Sequence, residues 1–174
     1  MQERWNLDIL YRGFDDEAFA ADVHELEEAI GECASLADGA ENADAKELLE
    51  SYIKLEQRVN EYASKLIIYA NLRYSANTAD GEAASNLGRL MGMLSATAAP
   101  SAKLSKIIAG YDNIEELIAS SELLGEHAYI IRNIKRDSKY LLADGEETVF
   151  AKMSISGATA WSDLQSSLTS SVKV

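Results

Sequence analysis

Apolar residues recur at helical spacing along most of the chain. Between residues 15 and 37, Phe19, Val23, Leu26, Ile30 and Cys33 follow one another at spacings of four, three, four and three, which places them on one face of a helix. The sequence also holds only one proline and ten glycines, so helix breakers are few. These patterns predict an all-α chain whose first helix is capped by Asp15 or Asp16.

The strongest pattern lies in residues 48 to 69. Apolar and tyrosine side chains keep a four-three alternation over about three heptads, and the members of this seam are Leu48, Tyr52, Leu55, Val59, Tyr62, Leu66 and Tyr69. A neighbouring row, Ala63, Ile67, Ala70 and Tyr74, widens the apolar face. We expect a long second helix that begins after a cap at Asp44 and is buried on two sides toward its end.

A third helix is predicted from about Gly81 toward Pro100. Its inward-facing residues are expected to be Leu87, Leu90, Met91, Leu94 and Ala98. Small residues, namely Gly88, Gly92, Ala96 and Ala98, are expected to let another helix approach closely. Pro100 should kink or interrupt the helix before Leu104, Ile107 and Ile108, and Gly110 should end it.

The last third of the chain predicts shorter elements. We expect helices near 112–120 and 121–137, a loop over 138–145, and a helix that Asp144 caps. Ser156 and Gly157 should separate that helix from a final one that contains Trp161. The ending Ser170, Ser171, Val172, Lys173, Val174 predicts the start of a strand that is cut short.

The predicted fold is therefore an antiparallel bundle of about five to seven helices, with a truncated strand start at the carboxyl terminus. We divide residues 1–174 into a long-helix bundle (15–110) and a region of shorter helices (111–174).

Composition narrows the class of protein. The chain has 174 residues, of which 47% are hydrophobic and 26% are charged, as in one globular domain. Its net charge of -13 repels polyanions, so nucleic acid is not an expected partner. No apolar run of eighteen residues and no secretory signal is present, which predicts a cytoplasmic protein without a membrane contact.

Candidate catalytic side chains are few: His24, His127 and Cys33. His24 is followed by Glu25, as in a His-Glu-x-x-His zinc motif, but Glu28 stands where the second histidine is needed. We expect His24 to be half-solvated, Cys33 to be a small buried apolar residue, and His127 to cap or pack a helix junction. No catalytic residue and no metal ligand is therefore assigned.

Two charged clusters leave alternatives open. Glu25, Glu28 and Glu32 share one helix face, which is typical of a solvated acidic surface and could also attract a divalent cation. Arg132, Lys135, Arg136 and Lys139 concentrate positive charge near 132–139. They are expected to pair with the acidic first helix, or alternatively to hold a phosphate or a peptide carboxyl group.

Three stretches resemble the oligoendopeptidase F family of zinc metallopeptidases, relatives of thimet oligopeptidase. They are Trp5-Asn6-Leu7-Asp8-Ile9-Leu10-Tyr11 with Phe14-Asp15-Asp16, Tyr69-Ala70-Asn71-Leu72-Arg73-Tyr74 with Asn77-Thr78-Ala79-Asp80, and Ser154-Ile155-Ser156-Gly157-Ala158-Thr159-Ala160-Trp161 with Leu164 and Leu168. The likeness runs in order along nearly the whole chain. One departure is Met153-Ser154-Ile155-Ser156, where the family often has a Leu-Ser-Pro-like turn.

The resemblance implies the helical amino-terminal region of a larger peptidase that cleaves short peptides. In that interpretation residues 1–174 carry no catalysis and form one wall of the substrate channel, with Tyr62, Tyr69, Arg73 and Tyr74 as candidate wall residues. The family's zinc is held by a His-Glu-x-x-His helix and a downstream glutamate, which would lie beyond Val174. The chain alone is thus not expected to be an enzyme or to hold a cofactor.

The implied partners are a missing carboxyl-terminal catalytic lobe and its peptide substrates. Because that lobe would leave an apolar surface uncovered, we also expect the isolated chain to form a homodimer. The alternative function is an autonomous helical interaction module whose seam in residues 48–69 binds a partner helix or a second copy.

Overall fold

The structure is a computed structural model that describes residues 6–140 and 144–171. Every regular element in these residues is helical, which confirms the all-α prediction. The α-helices are α1 (Glu17–Gly39), α2 (Ala45–Ala76), α3 (Gly81–Ser95), α4 (Ala98–Ala109), α5 (Ile114–Ala119), α6 (Glu122–Glu126), α7 (Ala128–Asp137), α8 (Asp144–Ser154) and α9 (Ala160–Ser171).

Aspartates start each of the first three helices. Asp16 accepts a hydrogen bond from the Ala18 N–H, and Asp44 accepts from both Lys46 and Glu47 at 3.0 and 3.1 Å. Asp80 does the same for α3 through Glu82 and Ala83. These side chains satisfy N–H groups that have no partner inside the helix, and their charge suits the positive helix end. The cap predicted at Asp44 is confirmed, and Asp16 rather than Asp15 caps α1.

The long second helix is the centre of the bundle, because α1 packs against it on one side and α3 on another. Its 32 residues bury most of the seam and half of the second row, and the remaining members are half-buried. The seam members Leu48, Tyr52, Leu55, Leu66 and Tyr69 are buried, as are Ala63 and Ala70 of the second row. The seam is therefore occupied by intrachain packing, and the hypothesis that it binds a partner helix is wrong for this structure.

Two large apolar cores lie along α2, beside a small cluster of Ala29, Cys33 and Leu55. One surrounds its first half and joins it to α4, α5, α6 and α7 through Leu49, Ile53, Leu104, Ile118, Leu124 and Ile131. The other surrounds its second half and joins it to α1, to α3 and to the segment before α1 through Tyr11, Phe19, Leu26, Leu66, Tyr69 and Leu90. Each core holds residues from distant parts of the chain, so both depend on tertiary contacts.

The break near Pro100 falls earlier than predicted. Helix α3 ends at Ser95 and α4 begins at Ala98, so Ala96 and Thr97 form the junction. Pro100 is the third residue of α4, where its missing N–H has no intrahelical acceptor to lose, so it is tolerated in this first turn. Gly110 ends α4 as expected, and its N–H donates to the carbonyls of Lys106 and Ile107.

The small residues of α3 face outward, contrary to prediction. Gly88 and Gly92 are exposed, and a Cβ added to either would meet no atom within 4 Å. Met91, predicted to face inward, is also exposed, as is Ala98. Leu90 alone of the predicted α3 set is fully buried, whereas Leu87 and Leu94 pack at the edge of the core.

The carboxyl-terminal helices pack on α4, which contacts both α7 and α8. A π-helical turn at Ile155–Thr159 lies between α8 and α9 and contains Ser156 and Gly157, so the predicted separation at these two residues is confirmed. Ser170 and Ser171 end α9, and the strand start predicted after them at Val172, Lys173 and Val174 is not tested by the described residues. Val172 to Val174 and the side chain of Asp144 lie outside the described residues.

Candidate functional site

The candidate wall residue Tyr69 lies inside an aromatic cluster. Its ring meets Tyr11 and Phe14 edge to face, with centroids 5.1 and 5.2 Å apart, and Phe19 completes the group. Tyr69 is only 1% exposed. Edge-to-face contacts of this kind add to the free energy of burial. Tyr69 is therefore buried beneath the surface of α2 and is not itself exposed on it.

Arg73 lies one turn further along α2 and covers this cluster. Its guanidinium donates to the Tyr69 hydroxyl at 2.9 Å and to the Asp80 carboxylate at 3.3 Å, and it lies 5.1 Å from the centroid of the Phe14 ring. The Ala83 backbone N–H, and after it the Arg73 guanidinium, hold the pKa of Asp80 below its usual value. Arg73 thus joins the end of α2 to the start of α3.

Tyr62 and Tyr74 are the other predicted wall residues, and both are half-buried. Tyr62 packs at the edge of the second core. On α2 it shares a face with Tyr69 and Arg73, because residues 62, 66, 69 and 73 repeat at helical spacing, whereas Tyr74 lies on the neighbouring face. The structure therefore gathers Tyr69 and Arg73 into one contact and leaves Tyr74 apart from them.

A second polar group lies next to the aromatic cluster, on α1 and α2. Asp22 accepts hydrogen bonds from the Tyr11 hydroxyl at 2.6 Å and from the Lys65 ammonium at 2.5 Å. Lys65 also lies 4.7 Å from the centroid of the Tyr11 ring. Burial, and then the Asp22 carboxylate, raise the pKa of Tyr11 above its ordinary value. This contact fixes the segment before α1 onto the bundle.

The acidic row on α1 surrounds an arginine. Arg58 of α2 lies 3.3 Å from Glu25, 3.7 Å from Glu28 and 2.8 Å from Glu32. The prediction that the three glutamates share a face is confirmed, but the face is not simply solvated. The guanidinium occupies the position between the carboxylates, and their charge, led by the hydrogen bond to Glu32, raises the pKa of Arg58.

A cleft of about 500 Å³ lies beside Arg58, between α1 and α2. Its lining combines apolar and charged side chains: Glu32, Ser35, Leu36, Ser51, Lys54, Leu55 and Arg58. The volume is in the range of small-ligand sites.

The three candidate catalytic side chains lie in three different environments. Cys33 carries a free thiol and is buried with Ala29 and Leu55, and burial raises its pKa. His24 is mostly exposed and lies 3.6 Å from Glu28. His127 has its Nδ1 within 2.9 Å of the Leu123 carbonyl and its Nε2 within 2.9 Å of the Gln57 amide. The buried position of Cys33 and the packing position of His127 are confirmed, whereas His24 is more exposed than predicted.

Sequence reasoning missed Glu56. This residue of α2 is half-buried, and burial raises the pKa of its carboxyl group. Its charge in turn contributes to raising the pKa of Cys33 and of Tyr52. Glu56 follows the seam residue Leu55 directly and is not itself a seam position, so periodicity alone predicts that it is solvated, and only the packing of the neighbouring helices could reveal its burial.

The basic cluster on α7 pairs inside the molecule, but its acidic partners are not on α1. Arg132 donates two hydrogen bonds to Glu115 of α5, at 2.8 and 2.6 Å, and this contact lowers the pKa of Glu115. Lys135 donates to the Tyr111 carbonyl, and Arg136 pairs with the adjacent Asp137. Lys139 lies 4.8 Å from the centroid of the Tyr140 ring.

Several apolar residues of α8 and α9 are exposed. They are 47% to 72% exposed and comprise Val149, Phe150, Met153, Trp161, Leu164 and Leu168. Spacings of three and four residues keep Trp161, Leu164 and Leu168 on one face of α9.

Neither a metal-binding group nor a membrane-spanning helix is found among the described residues. No three histidine, cysteine, aspartate or glutamate side chains there are placed to hold a metal ion. Zinc therefore does not fit the side chains of residues 6–140 and 144–169 that the structure describes. None of the helices in that part of the chain is long and apolar enough to cross a bilayer.

Residues 109–173 match the amino-terminal family model of the M3 peptidases, described as "Oligopeptidase F". This match confirms the family resemblance and covers the stretch from Ser154 to Trp161, together with α5 to α9. The stretches around Trp5–Tyr11 and Tyr69–Tyr74 lie outside the matched residues. No curated protein matches the chain. No solved structure matches it either.

Proposed function

Because residues 109–173 carry the amino-terminal segment of the oligoendopeptidase F family, we propose that this chain is the non-catalytic amino-terminal part of a zinc metallopeptidase that hydrolyses short peptides. The family match is the observation that carries the proposal. Its partners would be a catalytic lobe and the peptide substrates of the complete enzyme. The zinc would belong to that lobe.

The environments of His24, His127 and Cys33 support the proposal that catalysis belongs to another part of the enzyme. Catalysis by a cysteine needs an accessible thiolate, whereas Cys33 is buried and its pKa is raised. A general base needs a free ring nitrogen, whereas both nitrogens of His127 are within hydrogen-bond distance of other groups. His24 is 70% exposed and lies 3.6 Å from Glu28. In this proposal Cys33, His127 and His24 have structural roles and take no part in catalysis.

We further propose that α2 contributes to the wall of the substrate channel through Tyr62, Arg73 and Tyr74, with Tyr69 supporting Arg73 from beneath. Tyr62 and Arg73 are eleven positions apart, or about 16 Å along the helix axis, which suits contact with an extended peptide. Half-buried tyrosines offer an apolar ring and a hydroxyl to such a ligand. The Arg73 guanidinium, held by Tyr69 and Asp80, would keep its orientation as a peptide binds.

Two experiments test the proposal. The first is to read the gene beyond the codon for Val174, where we expect a coding sequence with a His-Glu-x-x-His motif. A stop codon there would contradict the proposed parent enzyme.

The second experiment tests the wall. A short unstructured peptide is titrated into the ¹⁵N-labelled chain, and amide shift changes should concentrate around Tyr62, Arg73 and Tyr74. Tyr62→Ala and Tyr74→Ala should weaken the changes, whereas Tyr140→Ala, which removes an exposed tyrosine far along the sequence, should not. Shift changes that ignore α2, or that respond equally to all three variants, would contradict the wall.

A further inference from the structure

The cleft between α1 and α2 combines an apolar lining with side chains of opposite charge. Leu36 packs against the small cluster that contains Leu55, where the two helices meet, and both leucines line the cleft. Lys54 lines it from α2, and Glu32 lines it from α1. The two helices therefore contribute a cation and an anion to one cleft that also has an apolar surface.

The α2 side of the cleft has donors that are not used within the molecule. Ser51 and Lys54 are three positions apart on α2, so they are neighbours on its surface, and both are exposed. No described residue forms a hydrogen bond or an ion pair with the Lys54 ammonium or the Ser51 hydroxyl. Lys46 of the same helix, by contrast, pairs with Glu50. An ammonium and a hydroxyl placed together in this way suit a carboxylate.

The α1 side of the cleft retains negative charge. One guanidinium, that of Arg58, faces the three carboxylates of Glu25, Glu28 and Glu32, so it compensates only part of their charge. Its hydrogen bond to Glu32 uses Oε1, at 2.8 Å, and no described residue donates to Oε2. Glu32 can therefore accept a hydrogen bond from a ligand's ammonium group while it holds Arg58.

We propose that this cleft binds a peptide of two or three residues with free termini. The carboxylate of the peptide contacts Lys54 and Ser51, and its ammonium group contacts Glu32. An apolar side chain of the peptide packs on Leu36 and Leu55. The inference does not depend on the proposed function, because none of the proposed wall residues lines this cleft.

The separation of the two helices favours a peptide over a single amino acid. The axes of packed helices are about 8–10 Å apart, whereas an extended chain spans at most about 3.3–3.6 Å per residue. The two charges of one amino acid are therefore too close together to reach groups on both helices. Two or three residues span about 7–11 Å, which matches the distance, and the cleft of about 500 Å³ is large enough for such a ligand.

Titration of leucyl-leucine into the ¹⁵N-labelled 174-residue chain tests the proposal. We expect saturable amide shift changes centred on Glu32, Ser35, Ser51 and Lys54. Acetylation of the amino group and amidation of the carboxyl group should each weaken binding about fivefold or more, because each removes one charged contact. Free leucine should bind more weakly than leucyl-leucine, because its charges are too close together.

Two pairs of variants test the charged contacts. Lys54→Gln should weaken binding of leucyl-leucine about fivefold or more, whereas the control Lys46→Gln, on the same helix but outside the cleft, should leave it unchanged. Glu32→Gln should weaken it similarly. Its control is Glu28→Gln, because Glu28 also lies next to Arg58 but does not line the cleft. Circular dichroism checks that all four variants keep their helix content.

Binding that acetylation and amidation leave unchanged would overturn the proposal, as would the absence of saturable shift changes. Shift changes confined to Tyr62, Arg73 and Tyr74 would overturn it too, while supporting the proposed wall. A stop codon after Val174 would contradict the proposed function without affecting the peptide site. The two proposals therefore fail separately.

Discussion

Amphipathic helices are buried to different extents at the two ends of this molecule. In α1, α2 and α3, apolar faces are buried against one another, and Tyr69 is 1% exposed. In α8 and α9, faces with the same spacing lie open, and Trp161 is 72% exposed. Helical periodicity therefore identifies an apolar face but does not say whether the chain itself covers that face.

The two ends also differ in how their helices begin. Asp16, Asp44 and Asp80 cap α1, α2 and α3. Helices α4, α5, α6 and α7 begin without a side-chain cap hydrogen bond. The first helices thus carry their own start signals, whereas the later ones depend on packing against α2 and α4. We expect the stability of the chain to be concentrated in its first half.

The largest expected effect comes from removing one aromatic side chain at each end. Tyr69→Ala should lower the free energy of unfolding by about 3–5 kcal/mol, because it empties the centre of the aromatic cluster. Trp161→Ala should change it by less than about 0.5 kcal/mol in the dilute monomer, because the ring contacts solvent. Urea denaturation followed by circular dichroism measures both. Equal losses of unfolding free energy in the two variants would show that Tyr69 and Trp161 are packed equally well.

A smaller effect is expected from the polar contact that fixes the amino-terminal segment. Asp22→Ala should cost about 2 kcal/mol, because it removes the acceptor of the buried Tyr11 hydroxyl and the partner of Lys65. Asp22→Asn retains an acceptor and should cost less. The same denaturation curves serve as the measurement, and a neutral Asp22→Ala would mean that the contact does not hold the segment in solution.

The caps provide the third comparison. Asp44→Ala should cost about 1 kcal/mol, because two N–H groups at the start of α2 lose their acceptor. Asn113→Ala, at the start of α5, should be nearly neutral, because its side chain makes no cap hydrogen bond. Thermal or urea unfolding of the two variants gives the difference. A costly Asn113→Ala would remove the distinction between the two kinds of helix start.

The smallest effect is a stabilisation. Burial raises the pKa of Glu56, so its ionised form destabilises the folded state at neutral pH and this penalty disappears as the pH falls below the unfolded pKa. Glu56→Gln should therefore raise the free energy of unfolding by roughly 0.5 kcal/mol at pH 7, with no gain near pH 4. Glu61→Gln, exposed on the same helix, should be neutral at both pH values. A gain that does not depend on pH would argue against this cause.

The sequence predicts best where a signal is local. The heptad seam of α2 and the Asp44 cap are contained within one stretch, and both are confirmed. The outward direction of Gly88 and Gly92 was missed because small residues permit a close approach without requiring one. The break at Ala96–Thr97 was missed because Pro100 is compatible with the first turn of a helix.

The candidate site depends on contacts that are distant in the sequence. Tyr69 is covered by Tyr11 and Phe14, which come more than fifty positions earlier, so its burial could not be read from α2 alone. Arg58 likewise meets Glu32 of another helix. The π-helical turn at Ile155–Thr159 is defined by its backbone hydrogen bonds. The spacing of apolar residues gives no signal for such a turn.

We propose above that this chain is a non-catalytic part of a metallopeptidase. The most direct measurement is hydrolysis of a quenched fluorescent peptide by the purified chain in buffer with added zinc. We predict a rate equal to that of the buffer alone. A zinc-dependent rate that co-purifies with the chain and is lost on addition of a chelator would contradict the account.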